Sequence, residues 1–228
     1  MMCGRLNVID SPEVIDLCGQ LGISFKDKAL RTGRFIQAAS TVSVILEQSN
    51  RRTLQDATWW LLLEQTETGF KPSAYTSFNT RYDKLDVPRS AGYNSYRHQR
   101  CIIPVKGFGE TEQVDGKAVY HDFTADKAIA LGGLYKEWVH KATGEVVYSC
   151  SVITLPPHPK LMPYHSKASP LLLPQSHYAA WLSPDTDSSQ LNTLLTPKLC
   201  VDLTGVKVKK PSQPEPISSE FRIACDEC

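Results

Sequence analysis

AVYHDFTADKAIALGGLYKEWVHKATGEVVYSCSVITL, residues 118–155, decides how this chain folds. Three parts of it, 118–124, 128–138 and 146–155, are rich in β-branched and aromatic residues, and turn chemistry separates them. Just upstream, CIIPVKGFGE (101–110) reads as a buried strand running into a glycine-punctuated loop. TVSVILEQ (41–48), the turn-like SNRR and TLQDATWWLLLEQ (53–65) read as a hairpin, and SPLLLP (169–174) as another strand. Helices are few. SPEVIDLCGQLG (11–22) has Ser11 to cap it and Pro12 in its first turn; Val14, Leu17, Cys18 and Leu21 share one face before Gly22 stops it. PRSAGYNSYRHQ (88–99) is a polar short-helix candidate, and SHYAAWL and SSQLNTLL within 176–195 read as helical.

Many short strands with few peripheral helices predict an α+β fold. The expected architecture is a single domain over 1–208, built on a curled, barrel-like, mostly antiparallel sheet, followed by a polar, proline-rich and poorly packed tail over 209–228. A chain of 228 residues with 41% hydrophobic and 21% charged residues buries enough surface to be stable without staples. Its net charge of +1 argues neither for nor against a polyanionic partner, so any such argument must be local. No signal-peptide pattern is present, and the longest apolar run, WWLLL at 59–63, is far below the ~20 residues of a membrane span. The protein is therefore expected in the cytoplasm (on the nucleoid if bacterial), as a monomer that uses no membrane. Seven irregularly spaced cysteines suit a reducing compartment. The C-x-x-C pair Cys225 and Cys228 lacks the second pair that a zinc site needs, so no metal is expected.

Chemistry enters at MMCGR, residues 1–5. If the methionines are absent, through a start at Met2 or removal of both, Cys3 carries a free α-amine and a thiol on adjacent carbons. A nucleophile needs a base, an acid and something to hold its substrate. Candidate partners are Asn79 and Arg81 in SFNTR, Glu110 in GFGE, His165 in PYHSK, and Arg31 and Arg34 in RTGR. Each also has a plain reading: a turn asparagine, a solvated glutamate, a half-buried histidine. Residues 71–106 carry seven Lys/Arg against two Asp, interleaved with five Tyr/Phe. That pattern suits single-stranded nucleic acid equally with a solvated basic face.

Taken in order, these segments resemble the SOS response-associated peptidase (SRAP) family, the abasic-site processing proteins. Met2-Cys3-Gly4-Arg5 reproduces its M-C-G-R start, Asn79-Thr80-Arg81 its N-A-R segment, and residues 100–110 its R-C-(I/L)-(I/V)-P-x-x-G-F-x-E block. Thr154, Leu161 and His165 keep the spacing of its later run. Departures are plain: FIQAAS (35–40) replaces Y-N-x-A-P-T, WWLLL lacks a glycine and proline, and Lys167 stands for an arginine.

The resemblance implies that abasic sites in single-stranded DNA are the substrate. An α-amine of pKa near ~7.7–8.0 attacks the ring-opened sugar aldehyde, and the neighbouring thiol closes a five-membered thiazolidine. No cofactor is needed. It further implies catalytic roles for Cys3, Asn79, Glu110 and His165, with Glu110 and His165 moving protons. DNA contacts would come from Gly4, Arg5, Arg34 and Arg81. The peptidase name implies self-removal of leading residues, a protease-like hydrolysis beside the lyase-like capture of damaged DNA. Two other readings of the first residues are an N-terminal-cysteine glutaminase, whose members usually continue with an apolar residue where this chain has Arg5, and a non-catalytic DNA- or partner-binding module.

Overall fold

The computed structural model describes residues 4–26 and 28–226. In chain order the elements are β1 (Arg5–Val8), α1 (Pro12–Gln20), β2 (Gly33–Gln37), β3 (Thr41–Gln48), β4 (Arg51–Thr58), β5 (Leu63–Gln65), β6 (Phe70–Pro72) and β7 (Asn79–Arg81). They continue with α2 (Tyr93–His98), β8 (Arg100–Val114), β9 (Lys117–Val139), β10 (Val146–Leu155), β11 (Ser169–Pro170), α3 (Tyr178–Leu182), β12 (Leu203–Lys210), β13 (Gln213–Pro216) and β14 (Phe221–Ile223).

Five strands form a ring. β8 pairs with β9, β9 with β10, β10 in parallel with β4, β4 with β3, and β3 back with β8. The ring is not a true barrel, and the result is the expected α+β single domain. The sheet continues beyond the ring, with β1 and β2 following on β8, and β12, β13 and β14 on β9. The period-2 alternation of strand side chains divides the core in two. Val44, Leu46, Cys101, Ile103, Leu131 and Val152 face one cluster. Ile45, Ile102, Ala130, Leu134 and Ile153 face another, which Leu17 and Cys18 of α1 and Trp181 of α3 cover. Ring strands buried on both faces explain why segments such as CIIPV read as continuous apolar runs rather than alternating ones.

Several expectations change. Residues 118–124 and 128–138 belong to one strand, β9, and the intervening residues bulge. The ladder steps from Val105↔Ile129 to Gly107↔Thr124, leaving Lys106 alone opposite residues 125–128. Lys106 Nζ donates to the Asp126 carbonyl at 3.0 Å and pairs with Glu13 of α1 at 3.3 Å, tying the bulge down.

The GFGE stretch is likewise strand, not loop. Its glycines serve close approach: a Cβ on Gly107 would lie 2.0 Å from the Phe123 carbonyl oxygen, and one on Gly109 2.5 Å from Arg5 Nε. The Ser49–Asn50 turn of the β3–β4 hairpin holds φ of 50° and 59°, the left-handed pair that a two-residue hairpin loop requires. SSQLNTL winds as a 3₁₀ turn. SPLLLP gives only the two-residue β11, with Leu172 bridging to Leu131.

The segment after 208 does not hang loose. β13 and β14 pair with β12, and Phe221 stacks on Tyr164 with ring centroids 4.3 Å apart. At its end Asp226 accepts from Lys160 at 2.8 Å, from the Leu199 N–H at 2.8 Å, and lies 2.9 Å from His158 Nε2. Burial alone would raise the Asp226 carboxyl, but these donors hold it at about 2.

Candidate active site

Beyond the bulge the paired strands β8 and β9 leave the ring, and their side chains turn polar. Glu110 and Glu112, two apart, fall on one face of β8. The chain segment 158–165 brings His165 to them, folded by N–H donation from Leu161 and Met162 to the His158 carbonyl and from His165 to the Leu161 carbonyl.

His165 is buried at 1% exposure and Glu110 at 3%. His165 Nε2 lies 3.7 Å from Glu110 Oε2, and Nδ1 lies 3.0 Å from the Thr111 carbonyl oxygen. A carbonyl only accepts, so Nδ1 carries the proton there and the neutral ring's Nε2 lone pair faces Glu110. Burial pushes the His165 pKa below its usual value, against the pull of the Thr111 carbonyl and the Glu112 carboxylate, so the neutral ring is favoured. Two proton acceptors face to face share a proton readily, which is the arrangement acid–base work uses.

Beside the pair lies a cleft of about 790 Å³, lined by Gly4, Trp60, Asn79, Thr111, Tyr120 and Lys167 among others. Asn79 reaches it because β7 runs parallel to β10, with Val152↔Asn79 in register. Trp60 packs against Phe78 at 5.7 Å, fixing an aromatic wall. Cys3 lies outside the described residues; Gly4, the residue joined to it, lines the cleft.

The expected phosphate ligands scatter. Arg5 is 5% exposed, and its guanidinium donates to Thr111 Oγ1 at 2.8 Å and to the carbonyls of Glu110 at 2.8 Å and His121 at 3.3 Å, over the Tyr120 ring. It braces the β8–β9 backbone. Arg34 is exposed, lying 3.6 Å from the buried Asp122 and donating to the Pro214 carbonyl. Asn7 of β1 also donates to Asp122, and burial pushes that carboxyl up. Arg81 is exposed, with its guanidinium engaging both Asp83 oxygens at 2.7 and 2.9 Å. It borders a smaller hollow of about 440 Å³ that shares Lys167 with the main cleft.

The basic stretch 71–106 is not one face. Arg100 is buried and donates to five carbonyls, those of Tyr96, Arg97, Trp181, Ser183 and Thr186. Lys71 pairs with Glu64, Arg97 with Asp86 and Lys106 with Glu13. Tyr96, counted among the stacking candidates, is core.

Sequence reasoning missed Glu112, whose same-face spacing from Glu110 was the available signal once this segment is strand. It also missed Trp60 and Tyr120 as cleft walls, for which no local signal existed. Among the described residues, no three His, Cys, Asp or Glu side chains gather as a metal site, and no helix is long and apolar enough to cross a membrane.

A ring of strands with an emergent polar hairpin, carrying a buried Glu–His pair beside an N-terminal cleft, marks the class. The model of the SOS response associated peptidase (SRAP) family matches residues 2–211, and the chain belongs to that family. It is 25% identical over 228 residues to the abasic site processing protein YobE of Bacillus subtilis, covering 96% of this chain and 100% of that one. The abasic site processing protein YoaM of the same organism is 24% identical over 214 residues, with 91% of each chain covered. A crystal structure from Bordetella bronchiseptica superposes with a TM-score of 0.71 at 20% identity, over 91% of this chain and all of that one. One from Bacteroides thetaiotaomicron gives 0.70 at 18% identity, over 91% and 96%.

Proposed function

We propose that this protein processes abasic sites in DNA, capturing the lesion covalently through Cys3 in single-stranded DNA. The observation that carries the reading is the buried approach of Glu110 Oε2 to His165 Nε2 at 3.7 Å, next to a cleft lined by the residue that follows Cys3. Family membership and the names of the curated relatives support it.

The α-amine of Cys3, once it is the first residue, adds to the C1′ aldehyde of the ring-opened sugar. A proton moves from nitrogen to oxygen, water leaves, and an imine remains. The Cys3 thiol then adds across the C=N bond: sulfur bonds to C1′, its proton passes to nitrogen, and a thiazolidine closes. Holding both nucleophiles on one residue makes the second addition intramolecular. Glu110 and His165 supply the proton for the departing hydroxyl and take it back from the attacking nucleophile. Asn79, on the cleft wall, orients the amine or a sugar hydroxyl. Gly4 gives the strand room to approach. Arg81 and Arg34, both exposed, take phosphates, joined by Lys167 beside Arg81. Arg5 reaches a phosphate only by giving up its bonds to the β8–β9 backbone. The same nucleophile and acid–base pair would serve removal of preceding residues.

The test is a denaturing gel of protein that begins at Cys3, incubated with a single-stranded oligonucleotide bearing one abasic site. A retarded covalent band is expected, and it should vanish for Cys3→Ala and for an N-terminally extended form. Intact free protein and DNA would overturn the reading. Salt-sensitive binding without the band would point to a non-catalytic module, and ammonia release from glutamine to the glutaminase.

A further inference from the structure

The imidazole of His165 sits between two carboxylates, and only Glu110 has a place in the mechanism above. The second is Glu112. Its Oε2 accepts from the Ser166 N–H at 2.6 Å and from Ser166 Oγ at 2.8 Å, and lies 3.9 Å from His165 Nδ1. Thr111, between the two glutamates, offers its carbonyl to the same Nδ1. Three consecutive residues of β8 therefore grip two consecutive residues of the His165 segment: one contacts Nε2, one bonds Nδ1, one bonds the backbone just after the ring.

We propose that Glu112 is a positioning residue for His165, anchoring the backbone just after the ring through Ser166 while Thr111 holds the Nδ1 proton, and supporting the charge the ring acquires when it takes a proton. The inference deepens the function proposed above and rests on it for the meaning of the charge transfer, but not for the geometry. The arithmetic of charge favours it. A carboxylate placed on the side of an imidazole away from the reacting atom can stabilise the imidazolium without touching substrate. Glu112 fits that description, because it is mostly buried (14% side-chain exposure) and already bound by two donors from one residue. The Ser166 N–H leads the donors that hold its carboxyl at about 2, so it stays ionised throughout the working range. Among the described residues, the other charged groups near the ring include Glu110 from the same strand, the Arg5 guanidinium braced on Thr111 and the Glu110 carbonyl, and Lys167 two residues on. Lys167 disfavours a charged ring, and Glu112 opposes it.

The test reads His165 by NMR in the full chain, with no substrate present. In ¹⁵N spectra of the wild-type protein, the neutral ring is expected to carry its proton on Nδ1, toward the Thr111 carbonyl; the Nε2–H tautomer would overturn the ring placement on which the proposal depends. In Glu112→Gln, which keeps size and one acceptor but removes the charge, the His165 midpoint should move to lower pH, and Glu112→Asp should restore part of it. An unchanged midpoint in Glu112→Gln overturns the proposal. Covalent capture of abasic DNA by Glu112→Gln should slow by up to about 10²-fold, the low end of what a positioned acid–base group contributes, with its pH profile displaced in the same direction as the midpoint. Should the wild type capture no DNA, the proposed function fails while the NMR arm still decides the placement of Glu112.

Discussion

The same two strands build two unlike regions. Where residues 100–105 of β8 pair with 129–134 of β9, nearly every side chain is apolar and buried, and the pair is part of the ring. Past the bulge, where residues 107–114 pair with 117–124, the hydrogen-bond ladder continues and Phe108 and Phe123 stay in the core, but polar side chains enter: Glu110, Thr111, Glu112, His121 and Asp122. The backbone is equally regular in both halves. What differs is what covers them: the first half lies between two apolar clusters, while the second receives Arg5, His165 and Asn7. One half makes a scaffold, and the other uses the scaffold's rigidity to hold polar groups that would cost free energy to bury if poorly paired.

If that division is sound, damage to each half should read out differently. The largest effect is expected in the polar half: Glu110→Gln or His165→Gln, which keep side-chain volume, should slow capture of abasic DNA by about 10²–10⁴-fold with the thermal midpoint little changed. Rate assays beside thermal melts check both. In the apolar half, Leu131→Ala should cost about 2–5 kcal/mol of stability in urea titrations, yet leave the capture rate of the folded protein near wild type. A lost rate at unchanged foldedness would break the division. Gly107→Ala sits on the boundary; its Cβ meets the Phe123 carbonyl, and separating the strands should cost about 1–3 kcal/mol or more and lower the rate as well.

A pH series sharpens the same contrast. His165 titrates lower in the fold than its ordinary 6.5, so the unfolded chain binds the extra proton and stability falls as pH drops below about 6.5. Glu112, held at about 2 against an ordinary 4.5, adds a second loss as pH falls from about 4.5 toward 2. Urea midpoints measured across pH should show both steps, and His165→Gln should shrink the upper one, the remainder coming from His121, which burial also holds below its ordinary value. The smallest effect is expected at Arg81→Ala: an exposed pair with Asp83 is lost without measurable change in melting, while the salt dependence of DNA binding weakens by about one charge.

Much of this was legible locally. The helix at 11–22 and the β character of 118–155 follow from caps, turn residues and β-branched runs, and the structure bears them out; the hairpin expected over 41–65 holds only to Thr58, since Leu63–Gln65 pairs with β6 in a separate sheet. The family resemblance also pointed to Glu110 and His165, which the fold brings within 3.7 Å across 55 residues of chain. Glycine was the main source of error. At Gly107 and Gly109 it reads as a loop residue, yet here it clears space for a carbonyl and a guanidinium arriving from other strands. The polar end of the chain misled for a similar reason: β13, β14 and Asp226 are held by pairing and by Lys160 and His158, partners that composition does not reveal. Local charge density over 71–106 failed as a guide because neighbouring basic residues point to different places, Arg100 into the interior and Arg81 to solvent.

The sequence by itself determined the residue types available for chemistry, the strand-rich class and the spacing that marks the family, since these rest on covalent order and local propensity. Only the tertiary structure decided which glutamate faces which ring nitrogen, which arginine braces backbone and which meets solvent, and where strand ends and site begins. Those choices depend on burial and on hydrogen bonds between residues tens of positions apart, and nothing local carries that information.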